Sequence, residues 1–189
     1  MPRLFTGLEI PADVAMDLAL MRGGIPGARW IDQESCHITL RFIGDIEEGL
    51  AAEVAAAFWQ LQPDAFTLQL KGVDVFGGNK PHSLHVNVVE NGALRRLQAA
   101  QERLCQMTGL APESRKFVPH VTLARLSPGS TGALHQYLAS HNLYASRPFE
   151  VTRFVLFSSR PARGGGPYAI EEVYDFAAGI NFAEDASGP

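Results

Sequence analysis

The stretch His37-Ile38-Thr39-Leu40-Arg41-Phe42-Ile43-Gly44 decides how this chain is read. Together with the preceding Cys36, its residues Ile38, Leu40 and Phe42 alternate with His37, Thr39 and Arg41. That period of two belongs to a strand with two different faces, one for the core and one free for chemistry. The opening tetrapeptide returns as His120-Val121-Thr122-Leu123. From average composition a given histidine is followed by apolar-Thr-Leu in about two or three cases per thousand. Two such hits among the six histidines are therefore a chance event of order one in ten thousand. An isolated histidine of this kind is most often a core residue bonded to a backbone carbonyl. The repetition argues for a shared function.

Outward from this stretch, strands are predicted over Arg3–Ile10, Glu34–Gly44, Phe66–Phe76, Leu84–Val89, Phe117–Leu126, Phe149–Ser158 and Tyr168–Phe176. Helices are predicted from Pro11 to Gly23-Gly24, over Asp45–Leu61, over Gly92–Met107 and around Ala133–His141. Glycine- and proline-rich turns fall at 77–81 and 128–129, and the loop Arg160–Pro167 holds three consecutive glycines. Strand-helix and hairpin units lie on both sides of about residue 90, each side bearing one His-x-Thr strand, with no linker between them. The expectation is an α+β fold, one bilobal domain over residues 1–177 with largely antiparallel sheets, and a flexible tail over 178–189.

Side chains two apart share a strand face, so each imidazole stands beside a threonine hydroxyl, and two such strands can build a four-point site. Near neutral pH two imidazoles can differ in protonation, one giving a proton and the other taking one. The hydroxyls can donate to phosphate oxygens. Phosphoryl transfer suits this layout, because attacking and leaving oxygens lie roughly in line across phosphorus. Threonine is a poor metal ligand, and no HExxH, His-x-His, aspartate cluster or GxxxxGK[ST] loop accompanies the histidines, so neither metal nor cofactor is expected.

A hydrophobic content of 46% with 19% charge fits a compact soluble protein. No run approaches a membrane span and Met1–Ile10 lacks the pattern of a signal peptide, so a cytoplasmic monomer is expected. Cys36 and Cys105 have no ligand-like spacing and read as buried free thiols. The net charge of -4 and pI of about 5.8 do not suit tracking a long duplex, so any nucleic acid is gripped locally, at one terminus.

The chain resembles the two-histidine (2H) phosphoesterase superfamily, and within it the bacterial and archaeal RNA 2′,3′-cyclic phosphodiesterases, also named 2′-5′ RNA ligases. The resemblance rests on Arg3-Leu4-Phe5, Trp30, residues 37–44, Pro119-His120-Val121-Thr122-Leu123-Ala124-Arg125 and the strands around 156–159. It implies a pseudo-two-fold bilobal fold, two largely antiparallel sheets around a central cleft with helices outside, and opening of an RNA 2′,3′-cyclic phosphate end to a 2′-phosphate. It further implies that His37 protonates the departing 3′ oxygen, His120 activates water, Thr39 and Thr122 hold phosphate oxygens and Arg125 neutralises charge. Ligation of RNA 2′-5′ ends, hydrolysis of a small cyclic nucleotide and non-catalytic binding of an RNA end are the rival readings.

Some residues stand outside this simple picture. Arg125, five positions after His120, falls on the opposite strand face unless a bulge redirects it. Arg41 is in phase with His37 and Thr39 and is a candidate for substrate binding, as are Arg160 and Arg163 in the glycine-rich loop. Phe42, Phe76 and Tyr168 are possible stacking surfaces. His85 stands where the resemblance leads one to expect an aromatic. His82 and His85, three apart, do not share a strand face and receive no role.

Overall fold

A computed structural model describes residues 3–127, 131–159 and 168–177. Eight strands form one sheet in which every pairing is antiparallel, in the order β10-β9-β1-β3-β7-β6-β5 with β2 (Arg29–Trp30) also on β7. The strands are β1 (Arg3–Glu9), β3 (His37–Gly44), β5 (Leu70–Phe76), β6 (Ser83–Val88), β7 (His120–Arg125), β9 (Arg153–Ser159) and β10 (Tyr168–Asp175). Two short strands, β4 (Phe66–Leu68) and β8 (Phe149–Val151), pair separately. The α+β class expected from the sequence is the one found. The two expected sheets are two halves of one, and the central strands β3 and β7 join them at a single paired position, Ile38 with Val121.

Pairing on either side of that junction runs in parallel. In β1, residues Phe5, Thr6, Gly7, Leu8 and Glu9 face Phe42, Arg41, Thr39, Ile38 and His37. In β6, residues Ser83, Leu84, His85, Val86 and Asn87 face Arg125, Ala124, Thr122, Val121 and His120. Both ladders skip one residue at the same place, Leu40 in β3 and Leu123 in β7. A pseudo-two-fold relation thus makes Arg125 the counterpart of Phe42, and His85 the counterpart of Gly7.

The helices α1 (Ala12–Leu20), α2 (Glu48–Phe58), α3 (Gly92–Met107) and α4 (Thr131–His141) bury apolar residues against the other face of the sheet. In α3 the apolar stripe Leu94, Leu97 and Cys105 is buried at helical spacing, and Asn91 caps the helix by accepting from the Leu94 amide at 2.9 Å. On the same stripe Gln101 is buried and takes a 2.6 Å hydrogen bond from the Thr6 hydroxyl, which ties α3 to β1. Strand β1 is buried on both faces. Leu4 and Leu8 join the main core, while Phe5 packs with Val155, Phe157 and Tyr168 on the side away from it.

Four predicted strands are shorter or divided, among them 149–158, which breaks at Thr152 into β8 and β9. The first motif strand starts at His37, because Gln33–Ser35 forms a 3-10 turn. The segment 66–76 splits at Gln69, with β4 leaving to pair with β8 while the amide of Ser146 bonds Leu70 and the Ser146 hydroxyl accepts from the Leu70 amide. The segment 117–126 contributes only His120–Arg125, since Pro119 has no N–H for a ladder. Cys36 is half-buried and Cys105 buried, both as free thiols.

Gly7 lies at a close approach of two strands, where an added Cβ would sit 2.8 Å from the Ile38 carbonyl oxygen and 3.6 Å from the His37 ring. Gly7→Ala is expected to cost about 1–3 kcal/mol in urea unfolding. Gly49→Ala in α2, where nothing lies within 4 Å, should gain about 0.5 kcal/mol or leave stability unchanged.

Candidate active site

Both motif histidines open their strands and are held alike. Nδ1 of His37 lies 2.8 Å from the Ser35 carbonyl oxygen, and Nδ1 of His120 lies 2.7 Å from that of Val118. A carbonyl only accepts, so the proton of each neutral ring is on Nδ1 and Nε2 carries the lone pair. The Thr39 hydroxyl, 3.1 Å from Nε2 of His37, donates to it in that tautomer. Both Nε2 atoms are thus prepared for proton transfer.

Pairing of Ile38 with Val121 sets His37 across from Thr122 and Thr39 across from His120. In a regular ladder the two histidines are then diagonal neighbours, about 7–8 Å apart, with room for an anion between the rings. His37, Thr39, His120, Thr122 and Arg125 all line one cleft of about 780 Å³, a volume ordinary for a small-molecule site.

Arg125 reaches this cleft through the ladder shift at Leu123. Leu123 and Ala124 are buried in succession and the alternation is reset, so Arg125 emerges on the face of His120 and Thr122, 3.5 Å from the Ser83 hydroxyl. The matching shift at Leu40 has the reverse effect on Arg41, which is a correction to the expected phase. Leu40 and Arg41 are both buried, although Arg41 is still among the residues that line the cleft. It ion-pairs with Glu102 and donates to the carbonyls of Phe42 and Ala111, so its guanidinium is committed within the protein. Arg160 and Arg163 lie outside the described residues.

Aromatic rings enclose each imidazole. Phe5, Tyr168 and Phe157 stand 5.0, 5.0 and 5.8 Å from His37. Phe76 and His85 stand 4.8 and 5.1 Å from His120. His85, which received no role from the sequence, is stacked on Phe76 at 4.1 Å and is only 2% exposed. Its contact with His120 is made across to the neighbouring strand β7, so nothing in the local sequence of β6 signals it.

Burial pushes His37 down to about 4, with the charges of His120 and Arg125 adding to it and the Ser35 carbonyl opposing. His120 is lowered too, by burial first and then by Arg125. Both imidazoles are therefore neutral at pH 7, and an anion between them would favour their protonated forms. Among the described residues no group of three or more His, Cys, Asp or Glu side chains gathers to hold a metal, and no helix is long and apolar enough to cross a membrane.

Two His-x-Thr strands meeting across one cleft, at the centre of an antiparallel sheet backed by helices, define the fold of the two-histidine phosphoesterases. The chain belongs to the 2′-5′ RNA ligase superfamily, which it matches over residues 21–162. It is similar to an RNA 2′,3′-cyclic phosphodiesterase of Aquifex aeolicus, with 32% identity over 152 residues, 77% of this chain and 80% of that protein. It is 37% identical to one from Aeropyrum pernix over 105 residues, 54% of this chain and 59% of that protein's length. Among solved structures, Escherichia coli LigT complexed with 3′-AMP superposes with a TM-score of 0.76 at 21% identity, covering 94% of this chain and all of that one. A Thermus thermophilus protein gives the same TM-score of 0.76 at 20% identity over 92% of this chain and 97% of that one.

Burial also lowers His85 to about 4. A histidine that takes up a proton near 6.5 when unfolded and only near 4 when folded makes the unfolded state the better proton binder between these values. Stability is then complete above pH 6.5 and falls as the pH drops toward 4. His85→Phe is expected to flatten this slope by about one proton in urea unfolding at a series of pH values, removing of order 3 kcal/mol of acid sensitivity.

Proposed function

We propose that the protein hydrolyses RNA 2′,3′-cyclic phosphate ends to 2′-phosphates, with His37 and His120 as the acid and base. The observation that carries this reading is the shared cleft toward which both imidazoles are held by matching Nδ1 bonds to the backbone, with Nε2 of His37 beside the Thr39 hydroxyl. Relatives in the same superfamily named RNA 2′,3′-cyclic phosphodiesterase support the substrate class.

In this reaction Nε2 of His120 takes a proton from water as its oxygen attacks phosphorus. The P–O3′ bond breaks on the opposite side, and protonated His37 gives its proton to the departing 3′ oxygen. The Thr39 and Thr122 hydroxyls and the Arg125 guanidinium face the non-bridging oxygens and offset the charge that builds there. No step uses a metal. The local grip on an anion suits a protein whose overall charge is -4, since the cation is placed at the phosphate rather than spread over a surface.

His37→Ala and His120→Ala are each expected to lower turnover of a cyclic-phosphate-ended oligonucleotide by at least about 10²–10⁴-fold while the fold and much of the binding remain. The product should be the 2′-phosphate, and a chelator should leave the rate unchanged. Measurable turnover by both variants at the parental rate would overturn the assignment. The active form of the free protein carries one proton more than the neutral pair, and both imidazoles are lowered from 6.5. The alkaline limb of kcat/KM is thus expected below about pH 6.5, and each alanine variant should abolish the bell shape.

A further inference from the structure

The pseudo-two-fold relation is broken beside the two motif threonines. Thr39 faces Gly7 across the sheet, whereas Thr122 faces His85. The first place holds no side chain and the His37 ring leans over it, since a Cβ on Gly7 would lie 3.6 Å from Cδ2 of His37. In that position Nε2 of His37 is 3.1 Å from the Thr39 hydroxyl and accepts from it. The second place is filled. The His85 ring is stacked on Phe76 at 4.1 Å and meets the His120 ring at 5.1 Å and 62°. His120 therefore cannot lean over β6 as His37 leans over β1. Among the described residues the hydrogen bond its ring makes is the one from Nδ1 to Val118.

The two ends are thus suited to unlike tasks. A general base needs a lone pair open to water, and that of neutral His37 is taken by Thr39. Once Nε2 of His37 carries a proton it no longer accepts, and the Thr39 hydroxyl is released to a phosphate oxygen. His120 has the open lone pair. His85 works as a flat plate behind it. It is 2% exposed and its Nδ1 has no hydrogen-bond partner among the described residues, so its shape is used rather than its polarity. Burial first, and then the charge of His120, keep His85 unprotonated, so it adds no competing charge when His120 takes up a proton.

We propose that His85 is the positioning residue that makes His120 the general base, by filling the place into which the His120 ring would otherwise lean toward Thr122. The chemical polarity of the cleft then follows from one pair of unlike residues, Gly7 and His85. This inference rests on the phosphodiesterase reading and adds to it the reason why its two histidines take different roles.

The test begins with nitrogen NMR of the parent protein carrying isotopically labelled histidine, above neutral pH. An unprotonated ring nitrogen moves upfield when it accepts a hydrogen bond, so the Nε2 resonance of His37 is expected upfield of that of His120. Equal positions would overturn the proposal, whether or not any variant folds. In His85→Ala the His120 resonance should move toward the His37 position. Turnover of a cyclic-phosphate-ended oligonucleotide should fall about tenfold in kcat, with KM held within about twofold. His85→Phe, which keeps the plate, should restore both. An unmoved His120 resonance in the folded alanine variant, or a phenylalanine variant as impaired as the alanine one, would also overturn it. The resonances need no turnover. Unlike positions in a protein that opens no cyclic phosphate would uphold the placing of His120 and sink the phosphodiesterase reading, whereas turnover with equal positions would do the opposite.

Discussion

The pairing of Ile38 with Val121 is the constraint from which the site follows. It is the position at which β3 and β7 pair, and continuing that register sets each histidine across from the other strand's threonine. A slip of β7 by one residue there would turn the His120 imidazole into the helical side of the sheet. Ile38 and Val121 are both fully buried, so the position is pinned by the core rather than by the chemistry beside it. The polar tetrad depends on two aliphatic residues that never meet the substrate.

Two equivalent ladder shifts do the rest of the placing. After Leu40 and Leu123 the alternation is reset, and what would face the core comes to face the cleft. On one strand this brings the Arg125 guanidinium to the face of His120, and on the other it buries that of Arg41. Arg41 becomes a buried partner for Glu102 and Phe42 takes the exposed place. One backbone irregularity, used twice on slightly different sequences, converts a symmetric frame into a site with unlike ends.

The histidine and threonine positions were legible because parity holds over the first three residues of each motif, and repetition separated them from chance. Helix α3 was equally legible, from Gly92 to Met107, because its stripe of Leu94, Leu97 and Cys105 has the helical period. Arg41 was misplaced, and Arg125 left conditional, for one physical reason. A ladder shift at a leucine leaves no mark in the sequence, since leucine suits either a regular or a bulged position. His85 was missed because its partner, His120, is on another strand.

The matching backbone bonds of the two imidazoles bear on how a cycle closes. In the proposed reaction His37 finishes one proton short and His120 one proton over. The Nδ1 side of each ring faces a carbonyl that cannot relay a proton onward, so the imbalance cannot be relieved through the interior. Recharging is then by way of solvent in the cleft or the departing product's phosphate. A product that lingers there keeps the enzyme in its spent state.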